Sequence, residues 1–317
     1  MKVIEHIHRA SGKEPLFSFE IVPPPRGRSA QEIVDVVEKL AVLNPPWIDV
    51  TSHSSTTYYQ EKLDGTIQKR TLRKRPGMMG ICGIIQNRFR IDTVAHILCM
   101  GFSKEETEDA LIELNFLGIE NVLALRGDRP NFVKPTRVDR TNNATAADLV
   151  AQVKKLNEGQ FLDELDSTAN MNFCVGVAGY PEKHFEAASL RLDIQNLKKK
   201  VDAGADYVVT QMFFDNQKYF GFVKACRAEG ITVPIIPGLK VIKSEAQLRS
   251  LPKSFYIDLP DELVEQVTQS PKHAVEIGRT WAKKQSMGLL DAGVNALHYY
   301  VLNDVDTVTG LVKELRK

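Results

Sequence analysis

Two carboxylates, an amide and a phenol stand at or just beyond the ends of short apolar runs, where a folded enzyme tends to keep its reactive groups. Glu20 lies near the end of Leu16-Phe17-Ser18-Phe19-Glu20-Ile21, an alternating, aromatic-rich strand stopped by Pro23-Pro24-Pro25. Asp128 closes Asn121-Val122-Leu123-Ala124-Leu125-Arg126-Gly127-Asp128, a buried-strand pattern that brings a cation, a permissive backbone and a carboxylate to one spot. Such an aspartate either does chemistry or starts a turn, and the stretch alone leaves both readings open. Thr51, Tyr180, Gln211, Gly238 and Asn303 occupy comparable strand ends, and His96 lies within the strand-like Thr93-Val94-Ala95-His96-Ile97-Leu98. A carboxylic acid beside an apolar strand can have a raised pKa and act as a general acid. No serine sits at a sharp strand-to-helix elbow, and no clustered histidine and carboxylate set suggests a metal. The pattern points to a small-molecule enzyme and leaves an organic cofactor open.

The elements that would position these groups repeat. Ala30 to Val42 has the apolar period of a one-faced helix, and Trp47-Ile48-Asp49-Val50-Thr51 follows as a strand. Ser103-Lys104-Glu105-Glu106 is a capping box, opening a helix that ends near Gly118. The order helix, glycine, apolar, polar, strand then recurs at Gly118-Ile119-Glu120, Gly204-Ala205-Asp206, Gly230-Ile231-Thr232 and Gly293-Val294-Asn295. Those are the short loops of a parallel α/β protein. With a strand at Phe173 to Ala178, eight βα units fit the chain, which predicts a (β/α)8 TIM barrel in a single domain over residues 1–317. A doubly wound sheet is the runner-up, disfavoured because no Gly-x-Gly-x-x-Gly follows any strand. In a barrel the strand ends share one rim, so Glu20, Asp128, Tyr180 and Gln211 should converge.

Two segments read as solvent-facing by pattern. Ala187, Leu190, Ile194, Leu197 and Val201 form a buried helical stripe, which leaves Asp193, Asn196 and Lys200 as its wet side. The basic run Lys69-Arg70-Thr71-Leu72-Arg73-Lys74-Arg75 reads as a solvated helix end. Bulk properties exclude several classes. Of the 317 residues 26% are charged with a formal net charge of +1, so no global field points to nucleic acid or a membrane surface. The four cysteines are widely spaced, which suggests reduced thiols. Without a signal-like or membrane-length apolar run, a cytoplasmic protein is expected.

Six motifs occur in order: Phe17-Ser18-Phe19-Glu20 before Pro23-Pro24, Leu125-Arg126-Gly127-Asp128, Tyr180-Pro181-Glu182-Lys183-His184, Lys200-Val201-Asp202-Ala203-Gly204-Ala205, Thr210-Gln211-Met212-Phe213-Phe214-Asp215 and Ile236-Pro237-Gly238. Together they resemble the bacterial methylenetetrahydrofolate reductases, over nearly the whole chain. The resemblance implies an FAD-containing barrel that takes hydride from NADH or NADPH and passes it to 5,10-methylenetetrahydrofolate in a ping-pong cycle. It implies that Glu20 is the general acid, that Asp128 stabilises the cationic intermediate, and that Gln211 contacts the folate. It assigns flavin contacts to Thr51, His96, Arg126, Gly127, Asp128, Tyr180, His184, Asp193, Asn196, Lys199 and Lys200, which moves the polar helix stripe from solvent to cofactor. It also implies a homo-oligomer, and a minimal catalytic subunit without the carboxyl-terminal regulatory domain of eukaryotic members.

The sequence departs from that family in places. No aromatic follows Pro237-Gly238, where Leu239-Lys240-Val241 stands instead; Met212 replaces a common Phe; and Asp304 follows Asn303. The segment between Thr51 and His96 is also long. These departures leave the donor open among NADH, NADPH and a ferredoxin-type partner. A flavin-free pterin-binding barrel methyltransferase and a non-catalytic accessory subunit are the rival readings.

Overall fold

The computed structural model describes residues 1–10, 12, 14–127, 141–302 and 304–316. Ten strands run through the described residues: β1 (Leu16–Ile21), β2 (Trp47–Val50), β3 (Thr56–Glu61), β4 (Ile67–Leu72), β5 (Asp92–Leu98), β6 (Asn121–Leu125), β7 (Cys174–Gly179), β8 (Tyr207–Met212), β9 (Ile235–Leu239) and β10 (Ala296–Leu302). Eight of them close a barrel in the order β1-β10-β9-β8-β7-β6-β5-β2, every pair parallel. The expected TIM barrel is therefore observed. The four glycines that punctuate the repeat, Gly118, Gly204, Gly230 and Gly293, all have φ between 72° and 109°, the left-handed turn that releases a helix into the next strand. Ser103 and Glu106 form the anticipated capping box at the start of a helix over Lys104–Phe116.

Alternation along each strand separates two cores. Phe17, Phe19, Ile48, Val50, Val122, Val175, Val208 and Tyr299 belong to the layer between barrel and helices. Trp47, Val94, Leu123, Cys174, Tyr207, Val209 and Ile236 fill the interior. A helix unforeseen from the sequence, α1 (Val3–Ala10), closes the amino-terminal end by adding Val3 and Ile7 to that interior cluster. It is pinned there by Val3 N–H, which donates to Asn121 Oδ1 at 2.8 Å, and by His6 Nε2, 2.8 Å from Asp92. With the floor closed, the opposite rim is left for a site.

The basic run at 69–75 is not a helix end. Its first half is β4, paired antiparallel with β3 in an exposed two-stranded ribbon. The overlooked signal is Asp64-Gly65, a turn dipeptide between Thr-, Tyr- and Ile-containing runs. Gly65 takes φ 79° and the Asp64 carboxylate accepts from Thr66 N–H at 2.9 Å. Strand β9 begins two residues later than Val233. The helix after β7, α2 (Leu190–Asp202), starts at its cap Ser189. Ala187 thus precedes it, and Leu190 is exposed while Asp193 is buried, which turns the polar stripe inward at its first turn. No helix among the described residues is long and apolar enough to cross a membrane.

The barrel depends on close backbone approaches. A Cβ at Gly278, in the helix Ala274–Asp291, would lie 1.9 Å from the Ile242 carbonyl oxygen, just beyond β9. Gly278→Ala should therefore lower stability by about 1–3 kcal/mol, as overpacking does. Urea unfolding checks this, and an unchanged midpoint would mean that the helix shifts without cost.

Candidate active site

Residues at every second position of the barrel strands share its interior, and the upper layers of that interior are polar. Glu20 on β1 lies level with Asp49 on β2 and Tyr300 on β10 in the ladder register. Glu20 is 9% exposed and Asp49 only 1%. His96 comes between them: its Nε2 is 3.4 Å from Asp49 Oδ2 and 3.7 Å from Glu20 Oε2. Below, His298 on β10 brings Nδ1 within 3.8 Å of Asp49 Oδ1 and 2.9 Å of Ser18 Oγ. Lys240, just past β9 and 4% exposed, donates to the Tyr300 carbonyl at 3.2 Å, and the Tyr300 hydroxyl donates to the Thr210 carbonyl at 2.6 Å.

These surroundings set the protonation states. Burial pushes the Glu20 carboxyl up to about 7; Asp49 adds to that rise, while His96 and Lys240 oppose it. Burial would lower the His96 pKa, but the Asp49 hydrogen bond and the fields of Glu20 and Asp49 outweigh it, and the net shift is upward. Burial lowers His298 and brings Lys240 down to about 8, with Asp304 drawing the lysine back. Glu20 can thus hold a proton near neutrality, as a general acid must.

A second group gathers on the β6–β7 side. Arg126 forms an ion pair with Glu186, and Gly127 takes φ 83°. Tyr180 meets the His184 ring edge-on at 4.7 Å between centroids, and Asp193 accepts from His184 N–H at 2.9 Å. Lys200 Nζ lies 5.9 Å from the Tyr180 ring centroid and donates to the Ala178 carbonyl at 2.9 Å. Burial lowers its pKa to about 8 despite Asp193. Further out on the same helix, Asn196 and Lys199 are exposed, 3.3 Å apart through Lys199 Nζ and Asn196 Oδ1. Gln211 borders a shallow rim recess with Tyr180, Pro181, Met212 and Tyr256, its Oε1 accepting from Met212 N–H at 2.9 Å. The Thr51 hydroxyl is buried just past β2 with no hydrogen-bond partner among the described residues. Asp128 and Asn303 lie outside the described residues.

Sequence reasoning singled out Glu20, His96 and the Arg126–Gly127 pair but passed over Asp49, His298, Tyr300 and Lys240. Period-two parity could have found them. Asp49 stands two residues before Thr51, His298 and Tyr300 share one face of β10, and Lys240 follows Gly238 by two.

The family model described as methylenetetrahydrofolate reductase matches residues 4–316. The chain belongs to the methylenetetrahydrofolate reductase family. Among curated members, the Caenorhabditis elegans protein named probable methylenetetrahydrofolate reductase (NADPH) is 27% identical over 308 residues, 96% of this chain but 42% of its own length. Methylenetetrahydrofolate reductase (NADH) 1 of Zea mays is 30% identical, covering 99% of this chain and 51% of the plant protein. The chain therefore spans about half the length of these family members. The 5,10-methylenetetrahydrofolate reductase of Pectobacterium carotovorum is closer in size: 28% identical over 290 residues, 90% of this chain and 85% of that one. Among solved structures, a Clostridium thermocellum protein described as binding two copies of 5-methyl-5,6,7,8-tetrahydrofolic acid superposes with a TM-score of 0.60, at 12% identity and 98% coverage of both chains. At that identity the likeness concerns the barrel alone.

The buried Glu20 makes stability depend on pH. Its folded pKa, about 7, lies above the 4.5 of an ordinary glutamate, so the folded state holds the proton more tightly. The carboxyl is harmless below the lower value and increasingly destabilising as pH rises through the folded one. Glu20→Gln should match wild type in urea unfolding at acid pH. Above neutrality it should be the more stable, by on the order of 3 kcal/mol. Equal stabilities at alkaline pH would mean that Glu20 ionises freely in the folded protein.

Proposed function

We propose that this chain reduces 5,10-methylenetetrahydrofolate to 5-methyltetrahydrofolate, drawing electrons from NADH or NADPH through bound FAD. The observation that carries this reading is Glu20, a carboxyl at the mouth of the barrel whose burial keeps it protonated up to about pH 7. Before hydride can be accepted, the methylene bridge of the folate must open to a 5-iminium cation, and N10 must be protonated as it leaves. Glu20 supplies that proton. Gln211, which borders the rim recess, is assigned the folate contact, as family membership suggests. Asp128 is assigned the negative charge that stabilises the iminium, as family membership suggests.

FAD, when bound, supplies the two-electron carrier that links nucleotide and folate. The residues fit such a ligand. Thr51 offers a buried, unpartnered hydroxyl near the mouth. Arg126 and Lys200 bring two cations to the β6–β7 side for a diphosphate, with Asn196 and Lys199 further out on the helix and Asp193, His184 and Tyr180 holding its first turn. His96 and Gly127 complete the proposed contacts. The expected assembly is a homo-oligomer in the cytoplasm.

A visible absorption spectrum followed by anaerobic addition of NADH and then NADPH tests the reading. Flavin bands that bleach with one nucleotide would support it and name the donor, whereas bands that ignore both would favour a protein electron donor. A colourless protein that cannot be reconstituted with FAD would favour the methyltransferase reading. Glu20→Gln should still be reduced by nucleotide, since that half-reaction needs no acid. Its transfer to folate should fall by at least about 100-fold, the usual scale of general acid catalysis. Equal losses in both half-reactions would remove Glu20 from this role.

A further inference from the structure

We propose that Asp49 is the positioning residue that keeps Glu20 protonated, by holding the charge of His96 on itself. The inference rests on the reading of Glu20 as the acid. Its geometry is one nitrogen shared by two carboxyls. His96 Nε2 faces Asp49 at 3.4 Å and Glu20 at 3.7 Å, and the imidazole is nearly inaccessible. Only one carboxylate can be neutralised by that ring.

The other ionisable groups around the pair are occupied or neutral, among them Tyr207 and Cys82, which burial keeps as a neutral phenol and a neutral thiol with Asp49 among their neighbours. His298, under Asp49 on β10, is held neutral by burial and has its Nδ1 against Ser18 Oγ at 2.9 Å. Lys240, past β9, is bonded to the Tyr300 carbonyl, with Asp304 and Lys243 as its charged neighbours besides Glu20. Tyr300 donates to Thr210 and stays a neutral phenol, its pKa raised by burial, with Tyr180 across the mouth among its neighbours. Among the described residues, His96 is therefore the cation in direct reach of both acids.

The charge count gives the sign for as long as His96 keeps its proton. With Asp49 ionised and His96 protonated, the three groups sum to zero while Glu20 keeps its proton. Losing that proton takes a buried cluster to net −1, which a low-dielectric interior resists. Without the Asp49 charge, an imidazole that still keeps its proton turns to Glu20: the same loss then takes the cluster from +1 to zero and pairs the imidazolium with the Glu20 carboxylate. Glu20 would then give up its proton at lower pH and stop serving as an acid.

A structural role explains Asp49 poorly. Its Oδ1 is buried without a hydrogen bond among the described residues, and its Oδ2 has only the long contact to His96. A carboxylate buried with so few donors destabilises the fold. Perturbed groups of this kind gather at functional sites.

The test is Asp49→Asn in the flavin-loaded protein, with each half-reaction followed separately across pH. In the folate half-reaction the alkaline limb should move down by about one pH unit, which is about a tenfold loss of rate on that limb. Reduction by nucleotide should keep its wild-type profile. Independently of turnover, the infrared band of the protonated Glu20 carboxyl, identified by its absence in Glu20→Gln, should titrate at lower pH in the variant. If the asparagine variant does not fold, Asp49→Thr makes the same charge change with a residue suited to a strand. A band and limb that stay in place, or that move to higher pH because His96 loses its proton along with Asp49, would overturn the proposal while leaving Glu20 as the acid, and so would equal losses in both half-reactions. Full folate activity in Glu20→Gln would instead overturn the reading of Glu20 and the proposal with it.

Discussion

An ionisable group turned into a closed barrel must find its partner inside. That constraint organises the site. Eight parallel strands remove any sheet edge through which water could reach the inward positions, and α1 seals the lower end. On such a surface Glu20, Asp49, His96, His298 and Lys240 can be accommodated only as a mutually compensating set. Two imidazoles, two carboxyls and one amine lie on or just past neighbouring strands, and burial together with the neighbouring charges sets the protonation of Glu20, His96, His298 and Lys240. The acid character of Glu20 belongs to this arrangement rather than to the residue.

The two sides of the mouth divide the labour by chemistry. On the β1, β2, β5 and β10 side the groups are deeply buried and their charges are balanced, which suits control of a proton. On the β6–β7 side, Arg126 and Lys200, set against Glu186 and Asp193, stand with the exposed Lys199 closer to solvent, which suits an anionic ligand. Under the proposed function both sides would serve one reaction, an acid for the folate and cations for a diphosphate.

Much of this was legible in the sequence because the relevant signals are local. The helix–glycine–strand repeat announces the barrel, since a left-handed glycine and a capping serine act over a few residues. Glu20 was legible because a proline run fixes where its strand ends. Asp49 was not: nothing near Trp47-Ile48-Asp49-Val50 distinguishes an inward aspartate from one that faces a helix, and its partners arrive from β5 and β10. The ribbon of β3 and β4 was misread because attention went to the charge of Lys69 to Arg75 rather than to the Asp64-Gly65 turn that pairs the run with its neighbour. On α2, period alone could not tell that the first turn meets the His184 loop, so buried Asp193 looked like a solvent-facing residue.

The seam between β8, β9 and β10 has a consequence for how such a barrel can change. At Gly238 a side chain would meet the Thr210 carbonyl at 2.2 Å and the Tyr300 ring at 2.6 Å, and Gly238 N–H donates to Thr210 Oγ1 at 2.9 Å. This wall is therefore made of main chain and one locked aromatic, with no side chain at Gly238 to trim or enlarge. Any residue larger than glycine there would have to displace the Thr210 main chain or the Tyr300 ring, so this stretch of wall cannot be reshaped by exchanging one side chain for another.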